Sequence, residues 1–586
     1  MTAGALISET RSVLETPAER VLRQVLEALV FERILPPDAL RFGPQEPDGF
    51  ARVSMEIAGR EVRFEMRIGA FDRCEIRKRS IIDSATGESL GLQAAFALVD
   101  ATEADAAKRA ALKNELTHTV RLCEWNLSHL KIHSRGRRSL DYEDLDPLIH
   151  EGHPYHPCFK ARTGFTDDDH RRYGPEAGGE FALEWLAVRR DRLRLELPCE
   201  ERLFWTGEIG GGMLCELERR MEERRTGFDT HGLLPVHPWQ WRTVEARYGT
   251  EIAHGILVPL GTCGDRYRAT QSLRTLMNGC DPRKAYLKLP MSLVNTSSLR
   301  TFEAPLVCTA PYVSEGLVAV VESDRFFRNS APLEILKEYA AALYQPCPSD
   351  EEAPSKAGEL GCIWRQGVRS VLKPGESAVP FNALATMEGD GRPFIDDWID
   401  RFGLEHWLWR LLETIIPPIW RLLVEHGIAI EAHAQNLVLI HQNGWPLRLA
   451  ARDFHESLEY VEDSRTKSSR FLPDFTAIDP VVGNAPPDRF YRMASLESLR
   501  ELFMDTVFIY NLTDLDRLLR REYGFSEADF WSIAGRFLSA PSVSGIPDTL
   551  GHRTPRLRTE SLMRKKLFGG RADEFHHEVS NPFHHH

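Results

Sequence analysis

A short stretch of the chain, residues 151–165, concentrates side chains that can hold an anion. Two imidazoles, His153 and His156, are followed closely by two cations, Lys160 and Arg162. A proline comes directly after each histidine, and because proline fixes φ and removes a backbone donor, the loop should be stiff. The pattern indicates an anion site; the alternative is a proline-rich turn whose histidines lie at the surface.

The region from residue 270 to residue 300 adds hydroxyl groups and further cations. Arginine offers charge in a bidentate geometry, lysine offers a point charge, and serine and threonine offer neutral donors. A triphosphate or a polycarboxylate needs this combination of groups. An exposed strand edge with scattered cations is the alternative. The candidate ligands are Ser272, Arg274, Lys288, Thr296 and Arg300.

Four polar residues stand between two apolar runs near residue 430. They are Glu431, His433, Gln435 and Asn436. Burying an unpaired carboxylate or imidazole is costly, so the cluster is either a closed hydrogen-bond network or a ligand site. The presence of all four together favours a ligand site.

An apolar strand after a probable hairpin turn at Asn443-Gly444 ends in Arg452-Asp453-Phe454. Asp453 is a candidate ligand for Mg²⁺, which prefers carboxylate and phosphate oxygens. A surface pair of Arg452 and Asp453 is the alternative.

Apolar spacing predicts the elements that must position these groups. It indicates a helix within residues 17–35, a β-hairpin within 52–68 and helical structure within 93–132. At 346–358, clustered Pro, Ser, Asp, Glu and Gly predict a mobile loop or a linker. The stretch 394–426 is amphipathic, and its tryptophans are expected in the core. Those tryptophans are Trp398, Trp407, Trp409 and Trp420.

Length and charge narrow the class of protein. A chain of 586 residues exceeds what one core usually supports, so two or more domains are expected. A net charge of −13 disfavours nucleic acid and anionic membranes as partners. We find no leader and no apolar run long enough to span a bilayer, and the ten scattered cysteines are expected to be reduced. The expected location is the cytoplasm.

Five motifs in a fixed order carry a resemblance to a known family. The chain resembles the IucA/IucC family, the siderophore synthetases that work independently of nonribosomal peptide synthetases. The motifs extend from residue 150 to about residue 460. In order, they are Gly152-His-Pro-x-His-Pro-x-x-Lys160-x-Arg162-x-Gly164, Leu234-Pro-Val-His237-Pro-Trp-Gln240, Ser297-Ser-Leu-Arg300-Thr, Glu431-Ala-His433-x-Gln435-Asn436 and Arg452-Asp453-Phe454.

The resemblance implies an ATP- and Mg²⁺-dependent ligase. Such an enzyme adenylates a carboxylate, releases pyrophosphate, and passes the acyl group to an amine or alcohol with release of AMP. By motif position, the implied catalytic residues are Lys288, Arg300, His433 and Asp453. The implied magnesium ligands are Glu431, Asn436 and Asp453. The implied nucleotide-binding residues are His153, Lys160, Arg162, Ser272, Arg274, Lys288, Thr296, Arg300, Gln435 and Asn436.

The resemblance also implies an α+β fold with mixed or antiparallel sheets in three subdomains. We expect a thumb at 1–150, fingers at 151–365 and a palm at 366–586 that is distantly similar to a protein kinase lobe. The Asp-Phe of the kinase motif is followed here by His455 instead of glycine, which weakens the kinase analogy. A homodimer is expected because family members commonly dimerise.

The substrate is less closely defined by these motifs. The sequence Arg-Asp-Phe-His-Glu is similar to that of the family branch that condenses a citryl or succinyl monoamide intermediate. The branch that uses free citrate more often has Asp-Phe-Gly-Gly at this place. A free-citrate synthetase is therefore one alternative, and a non-catalytic binding protein for citrate or ferric citrate is another. A zinc hydrolase is disfavoured because His-Pro-x-His-Pro breaks the helical spacing that presents two histidines to one ion.

Overall fold

The structure is a computed structural model that describes residues 15–130, 136–296, 298–463, 466, 470–538, 552–569 and 575–584. Its first helix, Pro17–Phe31, begins where the sequence supplies a cap: Thr16 and Glu19 accept hydrogen bonds from each other's backbone N–H, and proline occupies the first turn. Helices Leu92–Asp100 and Ala106–His129 pack against it. The predicted opening helix is confirmed, and the predicted helical region at 93–132 forms two helices.

The N-terminal helices cover an antiparallel sheet. The predicted hairpin at 52–68 is confirmed: its strands are Ala51–Ile57 and Arg60–Ile68, joined by a tight turn. Alternate residues of both strands are buried against the helices, as the apolar alternation in the sequence requires. The remaining strands of this sheet are Arg41–Gln45, Cys74–Ile76 and Ile82–Asp83.

A larger antiparallel sheet fills the middle of the chain. Helices Glu201–Ile209, Gly211–Glu223 and Pro238–Val244 accompany it. The separate hairpin Met291–Asn295/Ser298–Arg300 follows the strand Tyr286–Lys288 along the chain. In spatial order its strands are Leu193–Glu196, Glu338–Tyr344, Gly361–Arg365, Tyr286–Lys288, Thr275–Asn278, Leu257–Ala269, Phe181–Arg189 and His231–Val236.

The C-terminal part combines a smaller sheet with long helices. In spatial order the sheet strands are Leu333–Ile335, Trp445–Ala451, Leu437–Gln442 and Ser377–Pro380. Two short ribbons follow, Ile428–Ile430 with Leu458–Tyr460 and Arg556–Glu560 with His576–Ser580. The helices include Asp396–Phe402, Leu404–Arg421, Leu496–Phe503, Thr513–Tyr523, Glu527–Phe537 and Leu562–Phe568, with π-helical turns at Leu422–His426 and Met504–Leu512.

Two large cores result from this arrangement. The middle sheet and its helices form one core, which extends from Phe165 to Trp364. The other core joins residues before 162 to residues after 305, so the N-terminal and C-terminal parts share a single apolar interior. The α+β class with antiparallel sheets is confirmed. The three-subdomain boundaries stay a prediction, although the middle core coincides with the expected fingers.

Two local expectations have different outcomes. The segment 346–358 is not a linker between domains, because it connects two adjacent strands of the middle sheet and Lys356 within it is buried against Glu251 at 2.8 Å. Its composition gave no sign of this long-range ion pair. Among the tryptophans, Trp407 and Trp420 are buried as expected, while Trp409 is 36% exposed. Across the described residues, no helix combines the length and apolarity needed to cross a bilayer.

Candidate active site

The histidine loop is held by backbone contacts that fix which ring nitrogen is free. Gly152 has φ +69°, and a Cβ there would lie 2.2 Å from Phe159, so only glycine fits this turn. His153 Nδ1 accepts hydrogen bonds from the backbone N–H groups of Tyr155 at 3.1 Å and His156 at 3.0 Å. His156 Nδ1 accepts one from Cys158 at 3.2 Å. Each neutral ring therefore carries its proton on Nε2 and presents an N–H donor.

Both rings are kept neutral by their surroundings. Burial, followed by the nearby charges of His433, Arg73 and Arg20, lowers the pKa of His153 to about 3. Burial, followed by Lys566, His153 and Arg300, lowers the pKa of His156 well below its usual value. The buried Nε2 of His156 has no hydrogen-bond partner among the described residues. The loop thus offers N–H donors to an anion instead of two imidazolium charges.

The two cations of the same loop face a carboxylate inside the fold. Glu176 accepts hydrogen bonds from Lys160 and, at 2.9 Å, from both terminal nitrogens of Arg162. All three residues are buried, and Arg162 also contacts His170. Glu176 therefore compensates one of the two positive charges and accepts hydrogen bonds from both side chains. Because Glu176 takes up donors of both cations, this geometry gives no support for Lys160 or Arg162 as nucleotide ligands, and that role stays a prediction.

Arg300 ends the hairpin Met291–Asn295/Ser298–Arg300 and retains a free donor. One terminal nitrogen donates to the backbone oxygen of Asn295 at 2.8 Å, while the buried Nε has no partner among the described residues. Burial, and then the neighbouring charge of Arg274, lowers the pKa of Arg300 to about 10. Arg274 in turn donates to the backbone oxygens of Arg300 and Thr301 and to Glu456 at 3.2 Å.

Thr296 and Ser272 lie in turns of the same region. Thr296 has φ +59°, its backbone N–H donates to the oxygen of Cys158 at 3.2 Å, and its backbone oxygen accepts from Lys566 at 2.9 Å. These contacts fasten the Thr296 turn to the histidine loop and to the C-terminal helix. Ser272 Oγ accepts from the backbone N–H of Thr275 at 3.2 Å. Ser297 of the family motif lies outside the described residues.

The 431–436 cluster repeats the geometry of the histidine loop. His433 Nδ1 accepts from the backbone N–H groups of Gln435 at 3.2 Å and Asn436 at 3.3 Å, and its Nε2 lies 3.8 Å from Glu431. Asn436 donates from its amide to the backbone oxygen of Glu431 at 3.0 Å. The backbone oxygen of Gln435 accepts two hydrogen bonds from Arg452.

Asp453 occupies the centre of a cationic cluster. Its Oδ1 lies 2.5 Å from Arg365 and 3.4 Å from Lys288, and its backbone has φ +65°. Burial favours the neutral acid, but Arg365, Lys288 and Arg452 together hold the pKa of Asp453 well below its usual range. Burial, opposed by Asp453, lowers the pKa of Lys288. A permanently ionised carboxylate thus stands beside a desolvated lysine.

Several residues of this region were absent from the sequence prediction. Glu338 accepts from the backbone N–H groups of Phe454 at 3.3 Å and His455 at 3.1 Å and lies 2.9 Å from His455 Nδ1, which fixes the turn after Asp453. Arg365 supplies the closest contact to Asp453. Because Arg365 and Glu338 come from strands far away in sequence, spacing alone carried no signal for them. His237, in contrast, belongs to a family motif but caps helix Pro238–Val244 through Nδ1.

Several of the predicted residues influence one another across three parts of the chain, in contrast to Lys160 and Arg162, which face Glu176. The charge of His433 acts on His153, that of Arg300 acts on His156, and those of Glu431 and Glu456 act on Arg300. The strand pair Leu437–Gln442 and Trp445–Ala451 sets Asn436 opposite Arg452, one residue before Asp453. The site therefore combines neutral N–H donors, unpaired guanidinium hydrogen and a fixed carboxylate, a set that can hold an anion and stabilise developing negative charge.

Comparison with known proteins supports this assignment at the level of the family. The sequence profile of the IucA / IucC family matches residues 141–386, and that of the ferric iron reductase FhuF-like transporter matches residues 405–540. The citryl-spermidine/3,4-dihydroxybenzoyl-citryl-spermidine:spermidine ligase of Bacillus anthracis is 31% identical, over 96% of this chain and 92% of its own length.

Two further relatives extend the comparison. The 2-[(L-alanin-3-ylcarbamoyl)methyl]-3-(2-aminoethylcarbamoyl)-2-hydroxypropanoate synthase of Staphylococcus aureus is 27% identical, over 98% of this chain and 93% of its own length. The crystal structure of the petrobactin biosynthesis protein AsbB from Bacillus anthracis superimposes with a TM-score of 0.86 at 31% identity, and covers 97% of this chain and 95% of that chain.

The fold and these relatives thus define a protein of the siderophore synthetase class. This chain belongs to the IucA/IucC family.

Proposed function

We propose that the protein is an ATP-dependent ligase that adenylates a citrate-derived carboxylate and condenses it with an amine. The observation that carries the proposal is a set of donors that influence one another: the Nε2 groups of His153 and His156, the unpartnered Nε of Arg300, and Lys288. The charge of Arg300 acts on His156, and the charge of Arg274 acts on both Arg300 and Lys288. Attack of a carboxylate on the α-phosphorus brings two anions together, and only cations and oriented N–H donors stabilise that encounter.

The residues divide this work by position. Glu431 lies 3.8 Å from His433, and its charge also acts on Arg300. We therefore assign Arg300 and His433 to the region shared by the carboxylate and the α-phosphate. Lys288 lies beside Asp453 and is assigned to the phosphates, as are Arg274, Ser272, Thr296 and His153. Gln435 contributes its backbone oxygen, which accepts two hydrogen bonds from Arg452. No cysteine is required for acyl transfer.

The oxygen donors near Asp453 fit magnesium only together with phosphate. Asp453, Glu431 and Asn436 offer the hard oxygen atoms that Mg²⁺ prefers. However, Asp453 Oδ1 is already bound by Arg365 and Lys288, and no group of three His, Cys, Asp or Glu residues in the described parts of the chain is arranged to hold a metal ion. When bound with the nucleotide, Mg²⁺ would neutralise phosphate charge and favour departure of pyrophosphate.

The carboxylate substrate is proposed to be a citryl monoamide. The Bacillus anthracis relative is named for citryl-spermidine, a citrate that already carries one amide, and His455 and Glu456 follow Asp453-Phe454 here instead of two glycines. The structure gives these residues a role that glycine cannot fill, because His455 contacts Glu338 and Glu456 contacts Arg274. Free citrate is the second carboxylate to test.

The deciding experiment measures pyrophosphate release from ATP and Mg²⁺ with hydroxylamine as acceptor. Release that depends on a citryl monoamide supports the proposal, and release with citrate alone assigns the chain to free citrate. Production of ADP and phosphate would contradict adenylation. Binding of citrate without any nucleotide turnover would indicate a binding protein.

Three substitutions test the site in the same assay. We expect Arg300→Ala and His433→Ala to reduce pyrophosphate release by at least a hundredfold, since each removes a donor to developing charge, and Asp453→Ala to abolish it or its Mg²⁺ dependence. Arg283→Ala and His254→Ala, at exposed positions, are matched controls that should retain parental rates. Parental activity in any of the first three would remove that residue from the site.

A further inference from the structure

One buried carboxylate outside the motifs lies between two loops of the candidate site. Asp146 follows the short helix Tyr142–Leu145, and 0% of its surface is exposed. It precedes the first motif, which begins at Gly152. Burying a carboxylate is costly unless its oxygens receive hydrogen bonds and its charge has a partner, so the donors that surround Asp146 indicate its role.

The first loop that Asp146 binds is the turn before Arg274. The backbone N–H of Gln271 donates to Oδ2 of Asp146 at 2.9 Å, and the side-chain amide of Gln271 donates to Oδ1 at 3.0 Å. Ser272 comes next in the chain, and Leu273 has φ +71°, which is uncommon for a residue with a side chain. The two hydrogen bonds from Gln271 therefore fix the start of a tight turn that carries Ser272 and Arg274.

The second loop is bound through Arg452. One terminal nitrogen of Arg452 donates to Oδ1 of Asp146 at 3.3 Å. The other donates at 2.5 Å to the hydroxyl of Tyr142, which itself donates to Asp146 at 3.2 Å. Arg452 also donates to the backbone oxygen of Gln435 at 2.7 and 3.0 Å, and its backbone N–H donates to the oxygen of Asn436 at 3.1 Å. Asp146 is thus joined through one guanidinium to the 431–436 loop.

We propose that Asp146 is a positioning residue that fixes the 271–274 turn relative to the 431–436 loop. This inference rests on the proposed ligase function, in which the turn carries phosphate ligands and the loop carries His433 and the oxygen donors for Mg²⁺. Because one carboxylate receives donors from both segments, a shift of either one breaks a buried charge-assisted hydrogen bond. The separation of the two sides of the site is therefore set by a residue that lies before all five motifs.

The contacts require a charged group that only accepts hydrogen bonds. Both oxygens of Asp146 receive donors, so an amide at this position would direct an N–H group at one of those donors. Arg452 is only 3% exposed, and it would lose a buried counter-charge. Asp146→Asn therefore keeps the shape of the side chain while it weakens the contacts to both segments.

The test compares folded parent and folded Asp146→Asn by hydrogen exchange and by calorimetric titration with MgATP. We expect faster amide exchange at 270–275 and 433–437, and unchanged exchange in the strand Phe181–Arg189, because only the two site segments lose a contact. Binding of MgATP should weaken by about tenfold, which is typical when a residue that orients the ligands of a site is changed. Asp144→Asn is the matched control: Asp144 is exposed and pairs with Arg268 at 2.8 Å, so both readouts should equal those of the parent.

A second variant decides the matter if Asp146→Asn does not fold. Tyr142→Phe removes no charge and deletes only the hydroxyl between Arg452 and Asp146. It should weaken MgATP binding by about threefold, as expected for one hydrogen bond, with faster exchange at 433–437. In turnover, both variants should raise the KM for ATP more than they lower kcat, whereas a smaller folded fraction would lower the apparent kcat and leave KM unchanged.

Two results would overturn the proposal. One is exchange at 270–275 and 433–437 that equals that of the parent in the folded variants. The other is faster exchange throughout the chain with MgATP affinity unchanged, which would mean that Asp146 acts on stability alone. Exchange needs no turnover, so the two proposals fail separately: a parent that releases no pyrophosphate contradicts the ligase, while the exchange pattern still decides whether Asp146 fixes the two segments.

Discussion

At the scale of single residues, the site depends on which nitrogen of each histidine is free. In His153, His156 and His433, Nδ1 accepts backbone hydrogen bonds from residues two or three positions later, which leaves Nε2 as the ring nitrogen for other contacts. The residue types and their order could be predicted from the sequence. The protonation of His153 and His156 could not, because it follows from burial and from charges such as Arg300 and Lys566 that come from distant segments.

The same limit applied to the cations of the histidine loop. Lys160 and Arg162 belong to the motif, and their types suggested anion binding. Their partner Glu176 lies fourteen and more residues further on, in a segment without any motif, so its contact with them is visible only in the fold. A charged residue in a family motif can thus stabilise the loop that presents the site instead of binding the ligand.

A buried carboxylate away from the site gives a residue-scale prediction about stability. Asp516 is 1% exposed, and neither of its side-chain oxygens has a partner among the described residues. Burial, followed by Glu527, raises its pKa from 3.8 to about 7. A raised acid pKa means that the folded state holds the proton more tightly, so stability is lost as pH rises from about 4 to about 7 and stays lost above that.

We therefore expect Asp516→Asn to stabilise the protein at pH 8 by a few kcal/mol, since one pKa unit corresponds to about 1.4 kcal/mol. At pH 5 the gain should be much smaller. Urea unfolding of the parent and the variant at both pH values measures this. Glu462→Gln, which removes an exposed carboxylate, should show no comparable pH-dependent gain; a gain at pH 8 no larger than at pH 5 would contradict the assignment.

At the scale of elements, the candidate site residues lie on short hairpins and turns. Contacts from distant parts of the chain fix the positions of these turns. The hairpin at Asn443-Gly444 followed from the sequence, and helix Leu404–Arg421 lies within the stretch 394–426 that the sequence marks as amphipathic, because both signals are local. The contacts that fix the Thr296 turn could not be predicted from the sequence. Lys566, on helix Leu562–Phe568, binds both the backbone oxygen of Thr296 and the buried carboxylate of Glu115.

Lys566 is therefore a positioning residue. Because Lys566→Met removes one charge-assisted contact, it should raise the KM for ATP by about tenfold. The value of kcat should change less. The variant should also melt at a lower temperature, because Glu115 is left buried without its partner. Lys565→Met, at the exposed neighbouring position, is the matched control.

The double variant Lys566→Met/Glu115→Gln separates the two effects. It removes the unpaired buried charge, so its melting temperature should recover, while the KM for ATP stays high. Recovery of both quantities would mean that Lys566 acts only on stability.

At the scale of the whole molecule, the largest core is built from both ends of the chain. Glu32, at the end of the first helix, accepts hydrogen bonds from the backbone N–H groups of Met563 and Arg564 and so caps helix Leu562–Phe568. Asp72 binds Ser580 through both backbone and side chain. The α+β class could be predicted from motif resemblance, but this union of the termini could not, since nothing in either segment signals the other.

Removal of residues 562–586 should therefore unfold the N-terminal part as well as the C-terminal part. The deleted segment buries Met563, Leu567, Val579 and Phe583, and burial of four such side chains contributes roughly 6 to 12 kcal/mol. That is about the whole net stability of a typical domain. Limited proteolysis should then cleave within residues 17–130 of the truncated protein; protection equal to that of the full chain would contradict the shared core.

The capping of the C-terminal helix by Glu32 also constrains how the protein is made. While the chain is still on the ribosome, the apolar face of Pro17–Phe31 is only partly covered. Helices Leu92–Asp100 and Ala106–His129 can pack on it early, but the residues after 305 that complete its core are translated later. The middle core, from Phe165 to Trp364, is contiguous in sequence and can close first. The nascent chain must therefore carry an incompletely covered N-terminal segment while the middle core is made, which makes this segment the natural client of a chaperone.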